Sequence, residues 1–179
     1  MSKNVYALGG VFGLAALLSG LGYLSHIGVF SSVQVRTQRT EPMLLVYKVQ
    51  KGGFRDTGRA VGEIVRNLQN VGIYDVKGFS FREAGDDRIQ AGVILPKRHT
   101  IRAAGVLNHY QTRIFSPREG VTASFPLRNT FSMRIGEYKV WPKIEEAFKA
   151  RGLALQEFLE IYDFGNEIVY FAPTNEEDA

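Results

Sequence analysis

Hydrophobic and polar positions divide the chain beyond residue 41 into short strand-like runs and two longer segments with helical periodicity. In the first helical segment, residues 56–70, Ala60, Ile64 and Leu68 recur at four-residue spacing and form one apolar stripe. In the second, Pro142 is typical of a helix start and Gly152 of a helix end, so we expect a helix over 140–152. Strands are predicted at residues 43–49, 76–83, 88–96, 120–126, 155–162 and 167–173.

The order of these elements is strand, helix, strand, strand, and it occurs twice, with residues 98–118 inserted between the copies. Two such units commonly form a single layer of strands covered by helices. We therefore predict an α+β fold in which duplicated βαββ units form one antiparallel sheet with both helices on one face. The other face is then either open to solvent or a groove between the halves.

The first thirty residues have a different pattern, because no Asp, Glu, Lys or Arg occurs between Lys3 and Arg36. As a helix, residues 5–25 are about 30 Å long, which matches the core of a bilayer. We therefore divide the chain into a single transmembrane anchor, a linker, a domain and an acidic tail, at residues 1–30, 31–41, 42–174 and 175–179. A cleavable signal peptide is the alternative reading, although no clear small-residue cleavage site ends the apolar stretch.

Basic residues favour one orientation of this anchor. Arg36, Arg39 and Lys48 follow the anchor and only Lys3 precedes it, which places the domain in the cytosol. The absence of cysteine and of Asn-x-Ser/Thr acceptors agrees with that side of the membrane. The net charge of +4 is mild and its residues are scattered, so we expect no nucleic-acid partner. Because the three histidines show no ligand spacing, we expect no metal and no cofactor.

The last two predicted strands each contain a glutamate, Glu160 and Glu167. If the loop between them has two or four residues, even-numbered residues of the first strand share a face with odd-numbered residues of the second. Leu159 and Ile161 then lie under the helices with Ile168, Tyr170 and Ala172. The candidate ligand-binding residues share the helix-free face: Phe158, Glu160, Tyr162, Glu167 and Phe171.

Two interpretations of that face remain open. It is the solvated side of a one-sided sheet, where the glutamates maintain solubility. Alternatively, the three aromatic rings and two carboxylates form a groove that suits a lipophilic or cationic small molecule. Trp141 falls in the apolar stripe of the second helix, so we interpret it as a packing residue at the helix start rather than a binding platform.

Several segments, in this order, resemble one known group of proteins. They are "YKVQKGGFRDTGR", "AGVIL", "VTASFP", "VWPKIEEAFKARGL" and the final "LEIY" and "NEIVYFAP", which together run from residue 47 to residue 173. The chain resembles the gyrase-inhibitor-like (SOUL-related) superfamily of small-molecule-binding domains, and within it the membrane-anchored branch that includes an endoplasmic-reticulum autophagy receptor. The resemblance implies a ligand groove that contains Glu167, with Glu160 and Tyr162 beside it.

The expected function is therefore that of a single-pass adaptor, with a cytosolic domain that binds a small molecule or a protein partner. The resemblance implies the endoplasmic reticulum as its location and a link to autophagy or quality control there. The alternative is an enzyme, since some members of the superfamily hydrolyse cyclopropane toxins. In that case Glu160 or Glu167 activates water and Tyr162 assists. We expect binding rather than catalysis.

Overall fold

The computed structural model describes residues 2–51 and 53–174, and it describes side chains from residue 13 onward except at residue 54. Residues 175–179, the predicted acidic tail, lie outside the described part. The elements in chain order are α1 (Ser2–His26), β1 (Arg36–Arg39), β2 (Met43–Lys51), α2 (Phe54–Gln69), β3 (Lys77–Glu83), β4 (Arg88–Leu95), α3 (Thr100–Leu107), β5 (Gln111–Phe115), β6 (Glu119–Pro126), α4 (Thr130–Lys149), β7 (Glu157–Asp163) and β8 (Glu167–Pro173).

All eight described strands form one antiparallel sheet in the order β1-β6-β8-β7-β3-β4-β2-β5. The predicted units are β2-α2-β3-β4 and β6-α4-β7-β8, and they meet where β3 pairs with β7. Helix α2 packs on the first unit through Ile64 and Leu68, and α4 packs on the second through Val140 and Ile144. Both helices cover the same face, so the predicted α+β fold is confirmed.

The helix-free face is a second core. The short connection between β5 and β6 links strands near opposite edges of the sheet, so the sheet curls and this face becomes concave. Across the concavity, the rings of Phe115 and Phe171 lie 6.4 Å apart in an edge-to-face contact. The buried residues of this face are Leu45, Phe79, Phe81, Phe115, Leu159 and Phe171. A solvated helix-free face is therefore the wrong expectation, because aromatic side chains fill it.

Helix α4 begins ten residues before the predicted start at residue 140. Its N-cap is Asn129, whose side chain accepts a hydrogen bond from the Ser132 backbone N–H at 3.0 Å. The Ser132 hydroxyl in turn accepts from the Asn129 backbone N–H at 3.0 Å, which completes a capping box. Pro142 lies inside the helix instead of at its first turn. Proline at this position removes one backbone donor, but the helix packs on two strands and continues.

Two segments for which no strand was predicted each contain one. The linker range 31–41 includes β1, which pairs with β6 at the sheet edge, and the insert 98–118 includes α3 and β5. Both strands are short and polar, so alternation did not reveal them. The predicted anchor, residues 1–30, includes α1, and the side chains of residues 1–12 are outside the described part. Within the described part of the chain, no helix combines the length and the apolar character needed to cross a bilayer.

Candidate functional site

The turn between β7 and β8 sets which side chains share a face. Asp163 pairs with Glu167, so the loop has three residues, 164–166, rather than two or four. Gly165 within it has a φ of +81°, the left-handed conformation typical of three-residue hairpin loops. An odd loop length pairs even-numbered residues with even-numbered ones, and Glu160 accordingly lies opposite Tyr170.

The prediction that the five candidate ligand-binding residues share one face of the sheet is therefore wrong. Phe158, Glu160 and Tyr162 lie on the face covered by the helices. Glu167 and Phe171 lie on the concave face, where Phe171 is part of the second core. A change of one residue in register moves every side chain of a strand to the opposite face, and the assumed loop length caused that error. A ligand-binding role for any of the five stays a prediction.

Glu160 is the centre of a buried polar cluster on the helix-covered face. The residue is 7% exposed. Its Oε2 accepts hydrogen bonds from the hydroxyls of Tyr162 at 2.6 Å and Ser80 at 3.1 Å. Its Oε1 accepts one from the indole N–H of Trp141 at 3.1 Å. These donors are all neutral, so the carboxylate is solvated by the protein without a cation in contact among the described residues.

Aromatic rings surround this carboxylate. The Trp141 ring makes edge-to-face contacts with Phe158 at 5.0 Å and with Tyr170 at 5.4 Å between centroids. The guanidinium of Arg82 lies 5.7 Å from the centre of the Phe158 ring, at the rim of the cluster. Carboxylate and ring faces both attract positive charge, so their combination favours a cation over an anion.

The cluster also has a negative electrostatic character. Burial raises the pKa of Tyr162 well above its usual value, and the charge of Glu160 raises it further. The same two causes raise the pKa of Tyr170. Burial raises the pKa of Glu137, and its proximity to Glu160 adds to that shift. Both phenols therefore keep their protons at neutral pH, and the Tyr162 hydroxyl remains a donor to the carboxylate.

A cleft of about 520 Å³ opens beside this cluster, between α2 and α4. Tyr162 belongs to its wall, whereas Glu160 does not, so the carboxylate lies behind the phenol as seen from the cleft. The wall is mostly apolar and is formed by Thr57, Gly58, Val61, Gly62, Val65, Leu127, Arg128, Asn129, Thr130, Met133, Tyr162, Phe164 and Gly165. Its size suits a small molecule with a lipophilic body.

Three members of the cluster were not predicted as site residues. Trp141 was interpreted as packing, and it both packs and donates to Glu160. A buried indole N–H needs a hydrogen-bond acceptor, and this requirement could have indicated a polar partner for Trp141. Ser80 is a lone hydroxyl in the apolar run "GFSF", and Tyr170 was assigned to the helix side without a role beyond packing. In each case the sequence shows a polar group that needs a hydrogen-bond partner once it is buried, but it does not show which residue that partner is.

The fold defines a class of α+β domains built from two βαββ units, and in this chain a cleft lies between their helices. No protein-family model matches the chain, and no curated protein is significantly similar to it. Solved structures with this fold include the EcmrR C-terminal domain, at TM-score 0.54 and 8% identity over 79% of this chain and 96% of that one. They also include SAV2435 bound to tetraphenylphosphonium, at TM-score 0.51 and 9% identity over 80% and 94%.

A third similar structure is EcmrR in a DNA complex, at TM-score 0.55 and 12% identity over 95% of this chain and 69% of that one. At these identities the likeness shows the fold alone. The resemblance to the gyrase-inhibitor-like superfamily, and to its membrane-anchored branch, therefore stays a prediction. The expectation of no nucleic-acid partner stays a prediction, since one of the similar proteins is bound to DNA.

Proposed function

We propose that this domain binds a lipophilic cation between α2 and α4, with Glu160 as the counter-charge. The observation that supports the proposal is the buried carboxylate whose three hydrogen-bond donors are all neutral. A buried charge without an opposite charge is costly, and a bound cation supplies the missing partner. The same argument does not apply to Glu167, which lies on the other face of the sheet.

The cleft offers a route to that carboxylate. A ligand in the cleft meets the Tyr162 ring first, because Tyr162 belongs to the wall and is hydrogen-bonded to Glu160. Oε1 accepts one hydrogen bond within the described part of the chain, from the Trp141 indole, and has a second lone pair, so a cation can contact Glu160 without displacing either the phenol or the indole. The similar protein SAV2435 is bound to tetraphenylphosphonium, a lipophilic cation, and this supports the choice of ligand class.

Titration with tetraphenylphosphonium tests the proposal. Trp141 is the single tryptophan of the chain and contacts Glu160, so its fluorescence reports on the site. We expect saturable binding that weakens at least about tenfold in Glu160→Gln, since a buried ionic contact is lost. Glu167→Gln is the matched control, and we expect it to bind as the unmodified chain does.

A comparison of two ligands on the unmodified chain tests the same point without relying on a variant that folds. Triphenylphosphine oxide has similar rings but no net charge, so it should bind the unmodified chain much more weakly than tetraphenylphosphonium. Equal affinity for the charged and neutral compounds would contradict a counter-charge role for Glu160. Equal loss of affinity in Glu160→Gln and Glu167→Gln would contradict the location of the site.

Hydrolysis is the second candidate function, and the 2.6 Å contact between the Tyr162 hydroxyl and the Glu160 carboxylate supports it. A carboxylate paired with a phenol can supply the base and the acid for ring opening by water. Incubation with an electrophilic cyclopropane, followed by mass spectrometry, tests it. Product that forms with the unmodified chain and not with Tyr162→Phe favours the enzyme, and unchanged substrate leaves binding as the function.

Membrane association is the proposed location, with the domain facing the cytosol at the endoplasmic reticulum. The exposed leucines of α1 support association with an apolar phase, and the basic residues that follow α1 support the orientation. Fractionation with protease protection tests both parts. The domain should sediment with membranes and be digested in intact microsomes, and a protected domain would reverse the orientation. The role in autophagy or quality control rests on the resemblance alone.

A further inference from the structure

Helix α1 leaves the domain with its apolar side chains uncovered. Every residue from 13 to 26 is exposed. On a helical projection, leucines recur along one side at three- and four-residue spacing, and the large exposed ones are Leu14, Leu17, Leu18, Leu21 and Leu24. An uncovered leucine stripe of this length requires an apolar partner in water.

The opposite side of α1 indicates which partner fits. It carries Ala15, Ala16, Ser19 and Tyr23, with His26 at its end, and has no Asp, Glu, Lys or Arg. A second copy paired through the leucines would leave this uncharged side in water, whereas helices that pair in water have charged outer faces. A lipid phase covers both sides at once. The occupant that the sequence of α1 fits is therefore lipid rather than another copy of the chain.

The junction between α1 and the domain is held by specific contacts. The Lys139 ammonium donates to the backbone carbonyls of Val29 at 2.5 Å and Ser31 at 3.0 Å. Ile27 is 4% exposed, so the chain is buried where the helix ends. One turn earlier, the Tyr23 hydroxyl accepts from the Asn129 side chain at 3.4 Å. Because Asn129 caps α4, the end of α1 lies beside the first turn of α4.

Exposed aromatic residues occur at this same end of the domain. Phe131, two residues after the cap, is 68% exposed, and Phe164 in the β7–β8 turn is 56% exposed. Arg128 joins the two segments, because its Nη1 donates to the Gly165 carbonyl at 2.9 Å. Phenylalanine rings beside an arginine fit an interfacial surface, because the rings enter the boundary of the acyl chains and the guanidinium meets anionic headgroups.

We propose that Phe131, Phe164 and Arg128 form a membrane-docking face that rests on the lipid surface associated with α1. The proposal rests on the proposed membrane association. Phe164, Arg128 and the neighbouring Asn129 also belong to the wall of the cleft, so the docked domain holds the cleft opening against the headgroups. Ligands that partition into membranes then reach the site without crossing bulk water, and lipophilic cations are such ligands.

Site-specific fluorescence on the full chain tests the docking face. The chain has no cysteine, so a single introduced cysteine takes one label. Phe131→Cys and Ile101→Cys are each labelled with a nitrobenzoxadiazole dye and added to vesicles of phosphatidylcholine and phosphatidylserine. Ile101 is the matched control, since it is 93% exposed and lies on α3, far along the sheet from α4. We expect a severalfold emission increase and quenching by brominated lipid at position 131 and little change at position 101.

The outcomes separate the two proposals. A chain that sediments with vesicles but gives equal signals at both positions overturns the docking face and leaves membrane association intact. A chain that does not sediment overturns both. Phe164→Cys serves as a second probe if the label at position 131 impairs folding, and an unchanged signal there in sedimented chain also overturns the docking face. Binding of tetraphenylphosphonium in the absence of vesicles is unaffected by any of these results.

Discussion

At the scale of single residues, neutral partners define the site. Tyr162 and Ser80 both donate to one oxygen of Glu160, and the Tyr162 and Ser80 hydroxyls are themselves 3.0 Å apart. The hydrogen-bonding groups of this cluster are paired, so the empty domain stays folded, although the charge of Glu160 has no opposite charge in contact within the described part of the chain. It also keeps the carboxylate in a fixed place, which is the preorganisation that a binding site requires.

The two buried phenols predict how stability responds to alkali. In the folded chain the pKa values of Tyr162 and Tyr170 are raised by burial, whereas the unfolded phenols titrate near pH 10. Above about pH 10 the unfolded state releases protons that the folded state retains. The free energy of unfolding should then fall by up to ~1.4 kcal/mol per pH unit for each phenol. Urea unfolding between pH 8 and about 11 measures the slope.

Variants of the phenols supply the comparison. Tyr170→Phe should reduce the alkaline slope by one proton, since its hydroxyl no longer titrates. Tyr74→Phe is the matched control, because Tyr74 is 72% exposed and its loss should leave the slope unchanged. A slope that is the same in all three chains would contradict the burial of the Tyr170 phenol.

At the scale of elements, the first turn of α4 connects the site with the rest of the chain. Asn129 caps the helix, belongs to the wall of the cleft and donates to Tyr23 of α1. Ser132, its partner in the capping box, is completely buried. The position of Trp141 over Glu160 thus depends on a helix whose start is fixed by two polar residues, twelve and nine positions before Trp141.

Substitution at Asn129 should separate capping from packing. Asn129→Ala removes the side-chain acceptor for the Ser132 N–H and should lower the free energy of unfolding by about 1 kcal/mol. Asn129→Asp retains a capping oxygen and should stay within a few tenths of a kcal/mol of the unmodified chain. Urea denaturation of both variants measures the difference. Equal destabilisation would show that the amide nitrogen, not the oxygen, holds this turn.

The accuracy with which each element was predicted depends on the sequence feature that indicates it. Helix α2 was predicted to within two residues, because Ala60, Ile64 and Leu68 repeat at helical spacing. Helix α4 was predicted too short, since the proline at 142 was taken as the start and Asn129 with Ser132 was overlooked as a cap. The face of Glu160 depended on the length of one loop, and a loop length cannot be read from apolar periodicity.

At the scale of the whole molecule, the curled sheet gives the domain two cores. One lies beneath α2 and α4, and the other fills the concave face with rings such as Phe79 and Phe115. The element order predicted the repeat and the single helix-covered face. It did not predict the curl, which depends on β5 and its short connection to β6. The second core also explains why aromatic residues occur on both sides of β7 and β8.

The contact between α1 and the domain predicts a local change in dynamics. Lys139→Gln removes the ammonium that donates to the carbonyls of Val29 and Ser31. Amide hydrogen exchange at residues 27–31 should become about tenfold faster, while amides of β7 keep their rate. Lys143→Gln is the matched control, since Lys143 is exposed and pairs with Glu146 on its own helix. Faster exchange throughout the sheet would instead mean that Lys139 supports the global fold.

The three-residue loop at 164–166 has a consequence for how such domains diverge. Removal of one residue would place both glutamates on the same face, so that Glu167, which now faces the aromatic concavity, would be brought beneath the helices beside Glu160. A length change in a surface loop is usually harmless, but here it would replace the chemistry of the interior in a single step. Among descendants of such a chain, we expect indels in this loop to be rejected as strictly as loss of the carboxylate itself.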